Sequence, residues 1–150
     1  MFRILLLTCM MTLFGCSQKA PDGALKGYEY VENGMRAVPQ VHYEVLFDAE
    51  DAPYVRHVKW NGEEIVVPAP SQLPAQIDSL VRRYKLHQLK DHYQPPFKVL
   101  DGVSWRLYIR YEGGSISSGG YHTRPPERLR EGIEAINELL QGCVNASSRP

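Results

Sequence analysis

The chain has 150 residues, with 17 Lys plus Arg against 17 Asp plus Glu, a 43% hydrophobic fraction, three Cys, eleven Pro and twelve Gly. That length holds one ordinary domain. The charge balance excludes a strongly basic nucleic-acid binder, which needs a net or clustered positive field, and three Cys exclude a disulfide-stapled scaffold.

The N-terminus opens with Arg3 and an eleven-residue apolar stretch, Ile4–Phe14, followed by Gly15-Cys16. A spanning helix needs about 20 residues, so this stretch is too short to cross a bilayer, and it fits the apolar region of a secretory signal. Leu13-Phe14-Gly15-Cys16 resembles the lipobox of bacterial lipoproteins: Leu three positions before the Cys, a small residue directly before it, and Phe14 where a small residue is usual. The residues alone also fit a secretory signal cut elsewhere, or a buried apolar N-terminal strand. The resemblance implies a signal peptide over 1–15, cleavage between Gly15 and Cys16, and acyl chains on Cys16 that anchor the mature chain stably. Ser17, not Asp, follows the Cys, and no acidic cluster comes after it. By the same resemblance this favours the outer membrane, on its periplasmic face.

Residues 16–27 read as a lipidated Cys and a flexible tether of small polar residues, with a reach of about 36 Å. A single domain is expected over 28–141, and a disordered tail over 142–150. Val41, Tyr43, Val45 and Phe47 alternate with His42, Glu44 and Leu46, the period of a strand. Tyr54 to Trp60 alternates again, Asn61-Gly62 signals a hairpin, and Ile65-Val66-Val67 returns. From Ser71 to Leu86 the period becomes helical: Leu73, Ile77, Leu80, Val81 and Tyr84 form one stripe. Ser71 suits the N-cap, Pro74 the first turn, and Arg82, Arg83 and Lys85 the dipole at the C-terminus.

Val103 to Tyr111 is the clearest strand, with Arg106, Tyr108 and Arg110 on the face opposite Trp105, Leu107 and Ile109. Gly113-Gly114 turns it and Ser115 to His122 returns. Pro125-Pro126 opens a second helix with the stripe Leu129, Ile133, Ile136 and Leu140, and Gly142 suits its stop. Both halves run hairpin then helix, a possible repeat. The predicted fold is α+β: an antiparallel sheet of about five strands, order β-β-β-α-β-β-α, with two helices packed on one face.

Few residues fall into a recognisable catalytic pattern. There is no Gly-x-Ser-x-Gly, His-Glu-x-x-His, Walker loop or Cys-x-x-Cys. His87, Asp91 and His92 carry metal-ligating groups in one polar loop, without a fourth ligand. His42 and His57 are expected to face each other across the first hairpin. Gly119 and Gly120 read as bulge glycines. Arg106, Tyr108 and Arg110 form the candidate binding face, where two guanidiniums beside a phenol suit a carboxylate or anionic glycan; His122 and Arg124 would extend it. Cys143 is the one usable thiol of a mature chain and could cross-link a dimer.

The segment Trp105 to Tyr111, followed by Gly113, Ser118, Gly119, Tyr121 and Pro125, is similar to a pattern in small bacterial lipoproteins of unknown function, and that resemblance brings no activity with it. The expectation is a membrane-anchored, non-enzymatic domain that binds an envelope protein or glycan, with no cofactor, metal or nucleic acid. The alternative is a small envelope hydrolase or transferase, which would need histidines converging beside a carboxylate in a cleft.

Overall fold

Alternation of side chains over short segments builds most of this molecule. The computed structural model describes residues 19–34, 39–99 and 102–147. The expected signal peptide, its expected cleavage point at Gly15 and the expected lipidation site Cys16 lie outside the described residues, as does the end of the expected tail. Among the described residues seven strands form one sheet: β1 (Leu25–Asn33), β2 (Pro39–Leu46), β3 (Tyr54–Val58), β4 (Glu64–Pro68), β5 (His92–Tyr93), β6 (Ser104–Tyr111) and β7 (Gly114–Tyr121). Their spatial order is β4-β3-β2-β1-β6-β7-β5. All pairings are antiparallel except β5 with β7. The helices are α1 (Leu73–Tyr84) and α2 (Glu127–Ser147).

The α+β class therefore stands, but the sheet is mixed and has seven strands rather than five. The additions are β5, two residues long, and β1, which is the centre of the sheet. β1 begins at Leu25, inside the stretch read as tether. Its inward positions are Tyr28, Tyr30 and Glu32, paired with Val45, Tyr43 and Val41 on β2 and with Ile109, Leu107 and Trp105 on β6. A strand with Lys, two Glu and a Gly among its first eight residues lacks the apolar alternation of a central strand, so composition hides it.

Successive strand residues face opposite sides, and the inward set joins the helices in one core. Tyr28, Val45, Val55, Leu107 and Ile109 are buried with Leu73, Ile77 and Val81 of α1 and with Ile133, Ile136 and Leu140 of α2. Both helices thus cover one face, and among the described residues no helix covers the other. Each helix reaches strands of the other half. Asp78 of α1 accepts hydrogen bonds from Tyr111 of β6 at 2.9 Å and from Arg82 at 2.8 Å. The α2 side chains Asn137 and Gln141 accept from Tyr28 at 2.8 Å and Tyr43 at 2.5 Å.

The helix ends differ from the capping rules. Ser71 does not cap α1; the preceding residue is Gln72, itself helical in backbone, with no side-chain cap, while Pro74 takes the first turn as expected. Lys85 ends α1 in the left-handed region at φ 56°, its N–H shared by the carbonyls of Val81 and Arg82. The α2 helix does not stop at Gly142. It continues to Ser147 because Val144, one turn beyond Leu140, is still buried on the core stripe. Where the helices cross, a Cβ on Gly132 would lie 2.6 Å from Tyr84 Cβ, so glycine permits the close approach.

The Asn61-Gly62 hairpin forms, with Gly62 alone at positive φ (83°). Lys59 N–H donates to Glu63 and Gly62 N–H to Lys59, which is a three-residue loop with a left-handed glycine rather than a two-residue turn. Before β1, the chain is docked on the β6–β7 turn. Gly113 N–H donates to Asp22 O and Glu112 N–H to Ala24 O, both at 2.9 Å. The segment from Asp22 onward is therefore part of the domain and not a free tether.

Candidate functional site

Between β1, β2 and β6 on one side and α2 on the other lies a cleft of about 620 Å³, within the range of small-molecule sites. Tyr30 and Glu32 of β1, Val41 and Tyr43 of β2, and Val103 and Trp105 form its sheet wall. Arg130, Ile133, Glu134, Asn137, Glu138 and Gln141 form its helix wall, a stripe of i, i+3 and i+4 positions. His122 to Pro125 close one end.

Gly120 makes the end wall possible. It pairs with Trp105 across β6 and β7, and the Trp105 indole lies over it, donating from Nε1 to Thr123 O at 2.7 Å. A Cβ on Gly120 would fall 2.3 Å from that Nε1. Gly119 and Gly120 are thus in-register strand residues rather than a bulge, and Gly120 gives the indole its seat. Tyr93 packs on the same indole, ring centroids 5.9 Å apart.

Polar groups converge on Tyr30. Its hydroxyl donates to Glu32 Oε2 at 3.0 Å. Burial, then the Glu32 carboxylate, hold this phenol well above its ordinary value, while Arg124 pulls the other way and Glu134 pushes with Glu32. Tyr30 is therefore a neutral hydroxyl at physiological pH, and it senses both Arg124 from the end wall and Glu134 from the helix wall. Arg130 is held by Glu134 at 2.8 Å and by Glu127 at 3.9 Å. Among the described residues Arg124 and Glu138 form no ion pair.

The cleft and the N-terminal docking point sit at opposite ends of the sheet. Leu25 pairs with Tyr111 at one end of β1, whereas Glu32 pairs with Trp105 near the other. At about 3.3 Å per residue these ends are about 23 Å apart.

Arg106, Tyr108 and Arg110 do share a face, on the side of the sheet away from the helices. Arg110 donates to Asp48 Oδ1 at 2.6 Å, and Arg106, 69% exposed, lies 3.9 Å from Glu29. Glu29 also lies 3.5 Å from His42 Nε2, and Arg56 joins Glu44 to Glu64. The face is a mosaic of opposite charges with Tyr108 exposed in it, and one of the two guanidiniums is already neutralised.

His122 and Arg124 do not extend that face. His122 takes a positive φ of 50° while its N–H donates to Val103 O at 2.7 Å, and the chain swings to the helix side, into the cleft. The His42 and His57 imidazoles do not face each other, although His57 Nδ1 lies 3.1 Å from the His42 carbonyl oxygen. His42 pairs with Val58 and His57 with Tyr43, so the imidazoles lie on opposite faces of the sheet; His57 stacks on Tyr43 with centroids 4.5 Å apart. No group of three metal-ligating side chains, His87, Asp91 and His92 included, assembles among the described residues. Cys143 sits half-buried on α2, where burial pushes its thiol up. The sequence does not reveal the cleft, because Tyr30 and Glu32 belong to the strand that composition hides. Compared with known proteins, the chain matches no family model and no curated sequence.

Proposed function

We propose that the protein is a lipid-anchored, non-enzymatic binding domain of the bacterial envelope, and that the cleft between the sheet and α2 holds another envelope component. The observation that carries this reading is the cleft itself: about 620 Å³ with an aromatic sheet wall and a hydrogen-bonding helix wall. The outer face with Arg106, Tyr108 and Arg110 is the weaker site, since Asp48 and Glu29 already answer its guanidiniums. The anchor rests on the lipobox resemblance at Leu13-Phe14-Gly15-Cys16, with the periplasmic face of the outer membrane as its expected location. No helix among the described residues is long and apolar enough to cross a membrane, and acyl chains on Cys16 would do the holding.

The docked segment refines the geometry of anchoring. From Cys16 to Asp22 the chain spans about 20 Å at full extension, shorter than the tether the sequence suggests. The β6–β7 turn end then faces the bilayer and the cleft opens away from it. The enzymatic alternative asks for two or more histidines beside a carboxylate; among the described residues His122 alone lines the cleft.

Two measurements test the proposal. Intact mass of the membrane-fraction protein should show a chain starting at Cys16 with a triacyl-sized addition, and Cys16→Ala should move it to the soluble fraction; an equally membrane-bound variant contradicts the anchor. Capture of an envelope component should be lost in Glu138→Arg and kept in Arg106→Ala with Arg110→Ala; the reverse pattern moves the site to the outer face.

A further inference from the structure

The class of occupant follows from what the cleft walls offer, given the reading that the cleft is the binding site. The strands that floor it, β1, β2 and β6, each have a paired neighbour on both sides. Their main-chain groups are spent in the ladder, so an extended peptide finds no free edge there to pair with. Recognition must come from side chains.

Those side chains are divided by wall. The sheet wall is aromatic and aliphatic, broken by the Tyr30–Glu32 hydrogen bond. The helix wall is polar apart from Ile133. A lipid tail would cover Glu138, which accepts from no described residue, without giving it a hydrogen-bond donor, and that costs its desolvation. Phosphate or carboxylate-rich ligands meet the opposite difficulty. The lining has three carboxylates and two guanidiniums, and one guanidinium, Arg130, is held by Glu134.

What remains is a set of donors and acceptors of nearly balanced charge facing an apolar surface. Asn137 accepts from Tyr28 through Oδ1, which leaves its Nδ2 to donate. Tyr30 donates to Glu32, which leaves its oxygen to accept. Glu138 is exposed and accepts from none of the described residues. A pyranose ring matches this division. One face presents C–H groups to aromatic rings, and each rim hydroxyl both donates and accepts.

We propose that the cleft takes a short, uncharged oligosaccharide, a ring face toward Tyr30 and its hydroxyls toward Glu138, Asn137 and Arg124. The test is titration calorimetry on the full chain, held in a detergent without a sugar headgroup. The probes are N-acetylglucosamine tetramer, cellotetraose and a tetramer of galacturonate. The expected result is saturable binding of at least one neutral tetramer, at least about tenfold weaker binding of the uronate, and an about tenfold loss of the neutral ligand in Glu138→Ala with an unchanged melting temperature. Glu138 is exposed and outside the core, so the variant folds. The indole N–H resonance of Trp105 separates the two ways of failing. If no saccharide binds but an apolar peptide or an acyl chain shifts that resonance, the oligosaccharide assignment is overturned and the cleft remains the site. If no ligand of any class shifts it, the cleft reading falls as well.

Discussion

Trp105 occupies the space that a side chain on Gly120 would need. The indole lies across its cross-strand partner and hydrogen-bonds to Thr123 O at 2.7 Å, which fixes where the chain turns out of β7 and into the end wall of the cleft. Gly120→Ala must displace the ring or the Thr123 carbonyl, whose oxygen would lie 2.6 Å from the added Cβ. Overpacking of this kind costs about 1–3 kcal/mol. Urea unfolding should show that loss, together with a shift of the Trp105 indole resonance. An unperturbed resonance and midpoint would show that the seat is loose.

Two glycines of α2 should respond in opposite directions. Gly142 lies within the helix, and a methyl added there would have nothing within 4 Å, so Gly142→Ala should stabilise by about 0.5–1 kcal/mol. Gly132→Ala drives a methyl into Tyr84 and Leu86 and should destabilise by about 1–3 kcal/mol. Thermal melts of both variants check this. A null effect at position 142 would mean that the helix ends there, as the sequence alone suggests.

That contrast marks what the residues reveal. The stripe Leu129, Ile133, Ile136 and Leu140 is buried as its spacing demands, and the strand Trp105 to Tyr111 faces inward and outward as its alternation demands. These patterns are local. The end of α2 depends on a single Val144 finding the core, which no helix-stop rule contains. The central strand fails for a related reason: Glu29 and Glu32 look solvent-facing, yet one is drawn toward His42 and Arg106 on the outer face and the other lines the cleft. Outer-face arginines were legible because alternation places them; the cleft was not, because it depends on how β1 and α2 are placed in space.

Acid should weaken the fold in part through His87. Burial first, then Lys85 and Arg82, hold its imidazole below the ordinary value of 6.5. The folded state binds this proton less readily than the unfolded chain. Stability from neutral His87 is therefore full above the unfolded value and is lost as pH falls through the lower folded one. His87→Gln should flatten the fall in urea midpoint between about pH 7 and pH 5. An equal fall in both proteins would assign the acid sensitivity elsewhere.

Removing the outer arginines should matter little. The Arg110–Asp48 pair is more than a third exposed on both sides, and exposed pairs contribute at most about 1 kcal/mol each. Arg106→Ala with Arg110→Ala should therefore fold with a melting temperature within a few degrees of the parent and bind the cleft ligand with unchanged affinity in calorimetry. A lost affinity would restore the outer face as the site.

The central claim, that the cleft and not the outer face engages the envelope component, is tested most directly by photocrosslinking in living cells. A photoreactive side chain is placed at Glu138 in one full-length variant and at Tyr108 in another. The account predicts a covalent adduct from position 138 and none from position 108. An adduct from 108 alone would contradict it.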